Sequence, residues 1–414
     1  MITVNGRKYS LPGRTVVVIC YDGCDPNYIA DSAIRGISPA ITSMARTGFY
    51  ASGLSAMPSF TNPNNVSIVC GAPPSVHGIS GNYWFDREAG KEVMMVNAGP
   101  LAAPTILAEM AKAGVKVAAV TAKDKLRGAL AAGLVGPGNV GIAFSAEKAD
   151  QCTLAENGVD AADVMSGRML PDQYSPDLSL FVLDAGVRLV ESGRADLLYL
   201  SLSDFVQHAH APGARESDDF MQAVHARVAR LLGLGATVGI VADHGMTDLS
   251  LHGGEPNILY LGALLDNRFG EGRTKVICPI TDPFVRHHGA LGGFVRVHIL
   301  DRLDRDEVLR FISSTPGVHT ALVREEACRK LELNFEREGD IAVIGAKGVA
   351  LGSHKGAHQL EQLAGARLRS HGSFAERDIP FVVSRPIKAA YLQERGDAPI
   401  YNYDIFHFVL NGAE

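Results

Sequence analysis

The sequence predicts an α/β protein: a mostly parallel sheet with helices on both faces, plus a small α+β insertion. Three observations carry this. Short apolar runs alternate with helical patterns through the first 250 or so residues, the rhythm of strand–helix–strand units. Each apolar run ends in Asp or Lys, at the strand ends where open α/β sheets bind ligands. The rhythm breaks after His252 and resumes near Leu368.

Taken in order, TVVVICYDG (15–23) reads as a buried strand ending in polar residues. TILAEMAKAG (105–114) has a helical pattern, and VKVAAVTAKDK (115–125) is the next strand. DLSLFVLDAGVRLVESG (177–193) and SDDFMQAVHARVARLLG (217–233) read as helices flanking the strand ADLLYLSLSD (195–204), and ATVGIVADHG (236–245) closes the series. Between 255 and 364 the chain predicts a cap: an extended GGFVRVHIL (292–300), a helix over 304–317 and a strand over 339–345. LRSHGSFAERDIPFVVSRP (368–386) returns to the first pattern, so 1–254 and 365–414 are expected to form one catalytic core.

The composition suits a globular enzyme: 414 residues, 46% hydrophobic and 20% charged, enough to surround a buried polar site. A net charge of −6 argues against a nucleic-acid binder. The opening MITVNGRKYSLPGR lacks the apolar region of a secretory signal, and no run approaches the roughly 20 apolar residues of a membrane span. The six scattered cysteines contain no CxxC pair and read as reduced thiols. A cytoplasmic protein without membrane or nucleic-acid partners is the expectation. Composition leaves a homodimer open.

The candidate chemistry lies just after the predicted strands. Asp22 stands in CYDGCD, Asp204 and His208 in SDFVQHAH, Asp243 and His244 in ADHGM, and His371 in RSHGS. Asp204 and His208 are four apart, so one helical turn puts them on one face. Taken singly, an Asp at a strand end caps a helix and a His is a core or surface residue. Together, six oxygen and nitrogen donors at converging strand ends describe two adjacent sites for Zn²⁺ or a related ion. The stretch SFTNPNN (59–65) adds Thr61, which by itself reads as the cap of a proline-started helix.

In this order, YDG, TNPNN, PSVHGISGN (74–82), SDFVQHAH, ADHGM and SHGS resemble the motifs of the alkaline phosphatase superfamily, in its nucleotide pyrophosphatase/phosphodiesterase-like branch. The resemblance implies an alkaline-phosphatase-like core holding two Zn²⁺. Asp204, His208 and His371 would bind one; Asp22, Asp243, His244 and Thr61 the other. It makes Thr61 the nucleophile and Asn82 a donor to a phosphoryl oxygen. A zinc-bound hydroxyl can lose its proton near neutral pH, and the helix beginning after Thr61 points N–H groups at the same negative charge.

The substrate expectation rests on TAKDKLR (121–127). In an extended segment Lys123 and Lys125 share a side, and two cations beside a phosphoryl site call for a second anionic group on a small phosphonate. Solvated surface lysines are the plainer account. The pair resembles that of branch members that cleave phosphonoacetate to acetate and phosphate, which implies P–C bond hydrolysis through a phospho-threonine. Phe60, Tyr83 and Trp84 keep open a phosphodiesterase or nucleotide pyrophosphatase, whose substrate wants aromatic stacking. A metal-binding protein without turnover is the third reading. His77 and His252 are expected to be structural, and His210 a neighbour of the ligands or exposed. His287, His288, His354 and His358 are expected in surface loops.

Overall fold

The computed structural model describes residues 1–414 except 96, 137, 139, 140, 282–289 and 364. At its centre is a seven-stranded sheet. Across it lie, in order, Phe49–Leu54, Asp378–Val383, Thr237–Val241, Val16–Cys20, Leu197–Ser201, Val117–Thr121 and Ile142–Ser145. The last five run parallel; Asp378–Val383 pairs antiparallel with Thr237–Val241 and with Phe49–Leu54. Every residue of VVVIC, LLYLS, VAAVT and TVGIV is buried, whichever way its side chain points. Successive strand residues face opposite sides, so both faces of the sheet are covered.

The helices repeat this logic at their own period. Arg215–Gly233 buries Phe220, Met221, Val224, Val228 and Leu231, a stripe at spacings of three and four, and packs against Asp177–Glu191. One apolar cluster spans the sheet and its helices, from Val4 to Val409.

The observed strands are shorter than the apolar runs suggest. VKVAAVTAKDK holds the strand Val117–Thr121, and Asp124 already begins the helix Asp124–Ala131, with Lys123 at its N-cap. The expectation of an extended segment that aligns Lys123 with Lys125 is therefore corrected: Lys125 sits in the first turn of a helix. Phe49–Leu54 and Ile142–Ser145 were not anticipated. Phe49–Leu54 is an edge strand with half-exposed positions and no continuous apolar run.

Between the core segments, Thr274–Ile277, Phe294–Ile299, Ile341–Gly345 and Val318–Val323 form, in that order, a four-stranded antiparallel sheet. It has its own apolar cluster around Val295, Val297, Ile312 and Val343. Leu291 to Gly293 lead into this sheet beside His371: Gly293 N–H donates to the His371 carbonyl at 2.9 Å, and Ser370 Oγ donates to the Leu291 carbonyl at 2.7 Å. No helix among the described residues is long and apolar enough to cross a membrane.

Candidate active site

Strand register sets the site. Val241 pairs with Cys20, Cys20 with Ser201, and Ser201 with Thr121, so four neighbouring strands end level. Two or three residues past that line stand Asp243, Asp22, Asp204 and Lys123. Adjacent strands are about 4.8 Å apart, so these ends place a row of charges along one rim. Gly23 turns the chain away directly behind Asp22 with φ 67°, and a Cβ there would press on Asp204, Gln207 and Met246.

The three histidines join this row from different segments. His208 lies in the short helix Phe205–Ala209 that follows Asp204. His244 follows Asp243, and His371 follows the short antiparallel pair of Thr247–Asp248 with Arg369–Ser370. Each is buried, and each Nδ1 meets a backbone carbonyl: Arg369 at 2.6 Å for His208, Gly245 at 2.9 Å for His244, and Ser59 at 2.8 Å for His371. A carbonyl only accepts, so Nδ1 carries a proton in all three, and Nε2 is the nitrogen turned toward the site. The His244 and His371 rings stack, centroids 3.5 Å apart and planes within 9°.

Asp204, His208 and His371 form one group of buried donors, and Asp22, Asp243 and His244 a second; within each, the donor atoms lie within 4.8 Å of one another. His208 Nε2 is 2.8 Å from Asp204 Oδ2, and His244 Nε2 is 3.4 Å from Asp22 Oδ1. Asp243 Oδ1 accepts from the N–H groups of Gly23 and His244. Burial, then the charges of Asp204 and Asp243, push the Asp22 carboxyl well above its ordinary range, with Lys123 opposing. Burial, then His244 and His208, holds His371 far below the usual imidazole value. Three carboxylates buried this close, with the Nε2 atoms of three imidazoles converging on them, fit a pair of divalent cations.

Thr61 is the first residue of the helix Thr61–Cys70, and Phe60 occupies the N-cap without a side-chain hydrogen bond. The cap reading of Thr61 is thus replaced. Its Oγ1 turns toward the donors and lies 3.1 Å from His244 Nε2. Phe60 packs on His371 and fills the space where a Cβ at Gly372 (φ 122°) would sit 2.3 Å from its ring.

A narrow cavity of about 50 Å³ opens on these residues. Its wall includes Asp22, Thr61, Asn82, Lys123, Lys125, Asp204 and His371, together with Asn62, Thr121 and the apolar Leu126, Leu202 and Ile280. The structure therefore brings Thr61, Asn82 and both lysines to one space beside the two donor groups. Lys123 Nζ is 3.2 Å from Asp204 Oδ1, and Lys125 Nζ is 3.7 Å from Met94 Sδ. Asp124, between them, turns away to accept from Arg127 and Ser145 and to pair with Lys148. Asn82 is fixed by its backbone, donating to the Pro279 carbonyl and accepting from Met95 N–H, while its Oδ1 is buried without a hydrogen-bond partner.

The other histidines sort differently. His77 is fully buried; Ile79 N–H donates to Nδ1, so Nε2 carries the proton and donates to Ser67 Oγ at 2.8 Å. It braces the loop that leads to Asn82, as expected. His252 is exposed, His210 half-buried, and His354 pairs with Asp266 at the surface. His358 corrects the surface expectation: it is buried and accepts from Ser353 N–H. His287 and His288 lie outside the described residues. Sequence reasoning missed Asn65, whose amide touches both Asp243 and Thr61.

This fold and this arrangement have relatives. The chain belongs to the type I phosphodiesterase / nucleotide pyrophosphatase family, whose model matches residues 16–373. It is similar over its whole length to phosphonoacetate hydrolase from Sinorhizobium meliloti 1021. The structure of that enzyme with phosphonoformate superimposes at a TM-score of 0.94 with 42% identity, covering 100% of this chain and 99% of that one. Its structure with phosphonoacetate gives 0.93 and 41%, with the same coverage. Murine ectonucleotide pyrophosphatase / phosphodiesterase 5 shares the fold, at a TM-score of 0.63 and 16% identity over 97% of this chain and 96% of that one. An uncharacterised pyrophosphatase/phosphodiesterase of Schizosaccharomyces pombe is 39% identical over 87 residues, which span 21% of this chain and 17% of that protein.

Proposed function

We propose that this chain hydrolyses phosphonoacetate to acetate and phosphate through a phospho-Thr61 intermediate. Two zinc ions would be held by Asp204, His208 and His371 and by Asp22, Asp243, His244 and Thr61. The observation that carries the reading is the cavity. It is small, about 50 Å³, and the Thr61 hydroxyl, the Asn82 amide and two lysines share its wall, groups that suit a small dianion. The full-length similarity to phosphonoacetate hydrolase supports it independently.

When bound, zinc would supply Lewis acidity and positive charge, lowering the pKa of a coordinated hydroxyl or water. Thr61 Oγ1 attacks phosphorus in line; the O–P bond forms and the P–C bond breaks. The departing electron pair passes from carbon into the carboxylate, giving an enediolate. Lys123 and Lys125 meet that growing charge with preorganised positive groups, a contribution of several kcal/mol in comparable sites. Asn82 donates its amide N–H to a phosphoryl oxygen, and the first-turn N–H groups of the Thr61 helix face the same charge. Water protonates the carbon to release acetate. A second water then cleaves the Oγ1–P bond and returns the free hydroxyl. The segment 255–364 acts as the cap in this reading, with Ile280 as its contribution to the cavity wall.

The nucleotide alternative keeps Phe60, which lines the main cavity, but two of its three aromatic groups are drawn off. Tyr83 and Trp84 line a different small cavity with Arg296 and Arg337, and Arg337 covers the Trp84 ring at 5.4 Å. The test is a comparison of phosphate release from phosphonoacetate with turnover of p-nitrophenyl phosphate diesters and ATP, using zinc-loaded protein. Phosphonoacetate is expected to be the best substrate by kcat/KM. Faster turnover of the diesters would overturn the substrate assignment.

A further inference from the structure

The TNPNN stretch holds three asparagines that the proposed chemistry leaves unused. Asn62 turns its amide to Met95 Sδ. Asn64 binds mostly backbone: its Nδ2 donates to the carbonyls of Ala56, Pro58 and Phe60, and its Oδ1 accepts from Ala56 N–H and from Asn402 Nδ2. Asn65 is different. It is 0% exposed, and its Nδ2 donates to Asp243 Oδ2 at 3.1 Å and to the Thr61 carbonyl at 3.0 Å. Its Oδ1 accepts from Tyr199 OH at 2.7 Å and Ser201 Oγ at 2.8 Å.

The orientation of this amide is forced. Asp243 and the Thr61 carbonyl can only accept, so the NH₂ must face them. Tyr199 and Ser201 stand two apart on the strand Leu197–Ser201, hence on one face, and both hydroxyls must then donate to Oδ1. Asn65 thus uses both donors and both acceptor positions, and it cannot rotate without leaving buried groups unpaired. One side chain locks a carboxylate to the peptide of the nucleophile. Asp243 Oδ1 is already engaged by two backbone N–H groups, so the Asn65 contact settles which way Oδ2 points, 3.7 Å from His244 Nε2.

We propose that Asn65 is a positioning residue that orients Asp243 for the cation shared with Asp22 and His244 and sets Thr61 against it, without touching substrate. This rests on the two-cation reading above. The test compares Asn65→Ala with Ser67→Ala, which alters the same helix at a hydroxyl directed to His77. Zinc affinity is measured by competition with a chromophoric chelator, alongside metal-free melting temperature and kcat and KM for phosphonoacetate.

Asn65→Ala is expected to lose zinc affinity ~10–100-fold at one site while the other is retained. Its kcat should fall with KM nearly unchanged, and Ser67→Ala should keep both affinities. Unchanged affinity at both sites in Asn65→Ala, or loss at both in step with a lower metal-free melting temperature, overturns the proposal. Should Asn65→Ala not fold, Tyr199→Phe removes one donor to Oδ1 while keeping the ring. A selective, smaller loss of zinc at the same site supports the proposal, and unchanged affinity overturns it. A wild-type protein that binds no zinc overturns the two-cation reading together with this one. Zinc binding without phosphonoacetate cleavage overturns the substrate assignment alone.

Discussion

The two walls of the cavity are built by different means. The wall of carboxylates and imidazoles is buried and held through short contacts: each histidine Nδ1 meets a carbonyl, and Asp243 meets two backbone N–H groups and an amide. The lysine wall reaches in from the start of a helix on long side chains, with Lys123 still 29% exposed. A buried, multiply anchored group has one geometry. A partly exposed lysine keeps part of its hydration even where it is paired, as Lys123 is with Asp204. The contrast suggests that the first wall fixes where phosphorus reacts, and the second responds to what the phosphorus carries.

Removing the hydroxyl should break the first wall's function most completely. Thr61→Ala is expected to lower kcat on the order of a thousandfold or more, as losses of a nucleophile do, while the Asp204 site keeps its zinc, the site that loses its Thr61 ligand binds more weakly, and both fill at saturating zinc. Stopped-flow phosphate release and metal analysis check both halves; full zinc with near-normal turnover would remove Thr61 from the nucleophile's role. Stripping zinc with a chelator comes next. It should abolish turnover and destabilise the fold, because each ion bound at 100 times its Kd adds about 2.7 kcal/mol. Loss of activity without any shift in melting temperature would argue that the six buried donors do not hold it.

The lysines sharpen the comparison, because Lys123 belongs to both walls. Lys125→Ala is expected to cost ~10²-fold in kcat/KM for phosphonoacetate and to leave zinc affinity alone. Lys123→Ala should cost as much and also change zinc affinity, since Nζ sits 3.2 Å from Asp204 Oδ1. Identical behaviour of the two variants in a zinc competition assay would erase that distinction.

What the sequence revealed follows the same division. Asp22, Asp204, Asp243 and His244 were legible because each lies just past a central strand, and level strand ends bring such positions together whatever the intervening helices do; His208 followed from its spacing to Asp204, and His371 from the motif order. The lysine pair was read through the wrong local geometry. Nothing in AKDKL announces that the strand stops at Thr121 and a helix starts at Asp124, with Glu147 accepting from the Asp124 N–H across the rim. The stretch around Thr61 alone reads as a cap, and only the company of the other motifs makes it a nucleophile; the helix begins at Thr61 itself rather than after it. Asn65 could not be found at all. Its role depends on Tyr199 and Ser201, 134 and 136 residues away, and a single asparagine carries no spacing that points to them. Edge strands such as Phe49–Leu54 escape for a similar reason: half-exposed strands lack the continuous apolar run of buried ones.

The smallest effect on turnover is expected at His77, and it separates bracing from catalysis. Burial, then the nearby Arg337 charge, lowers its pKa from 6.5 to about 3. The unfolded chain therefore takes up a proton below about pH 6.5 that the folded one refuses until about pH 3. Stability from this group is fully present above the unfolded value and is lost as pH falls through that window, at up to about 1.4 kcal/mol per pH unit. In urea titrations of metal-free protein, His77→Asn should flatten the difference in stability between pH 6.5 and pH 4 relative to wild type. Since His77 touches Ser67 and Ile79 and lines no part of the cavity, the variant should keep its zinc and most of its kcat at neutral pH. An unchanged pH slope would mean that His77 is already protonated in the folded state. A large loss of kcat would mean that the loop it braces sets Asn82 more tightly than the backbone bonds to Pro279 and Met95 alone require.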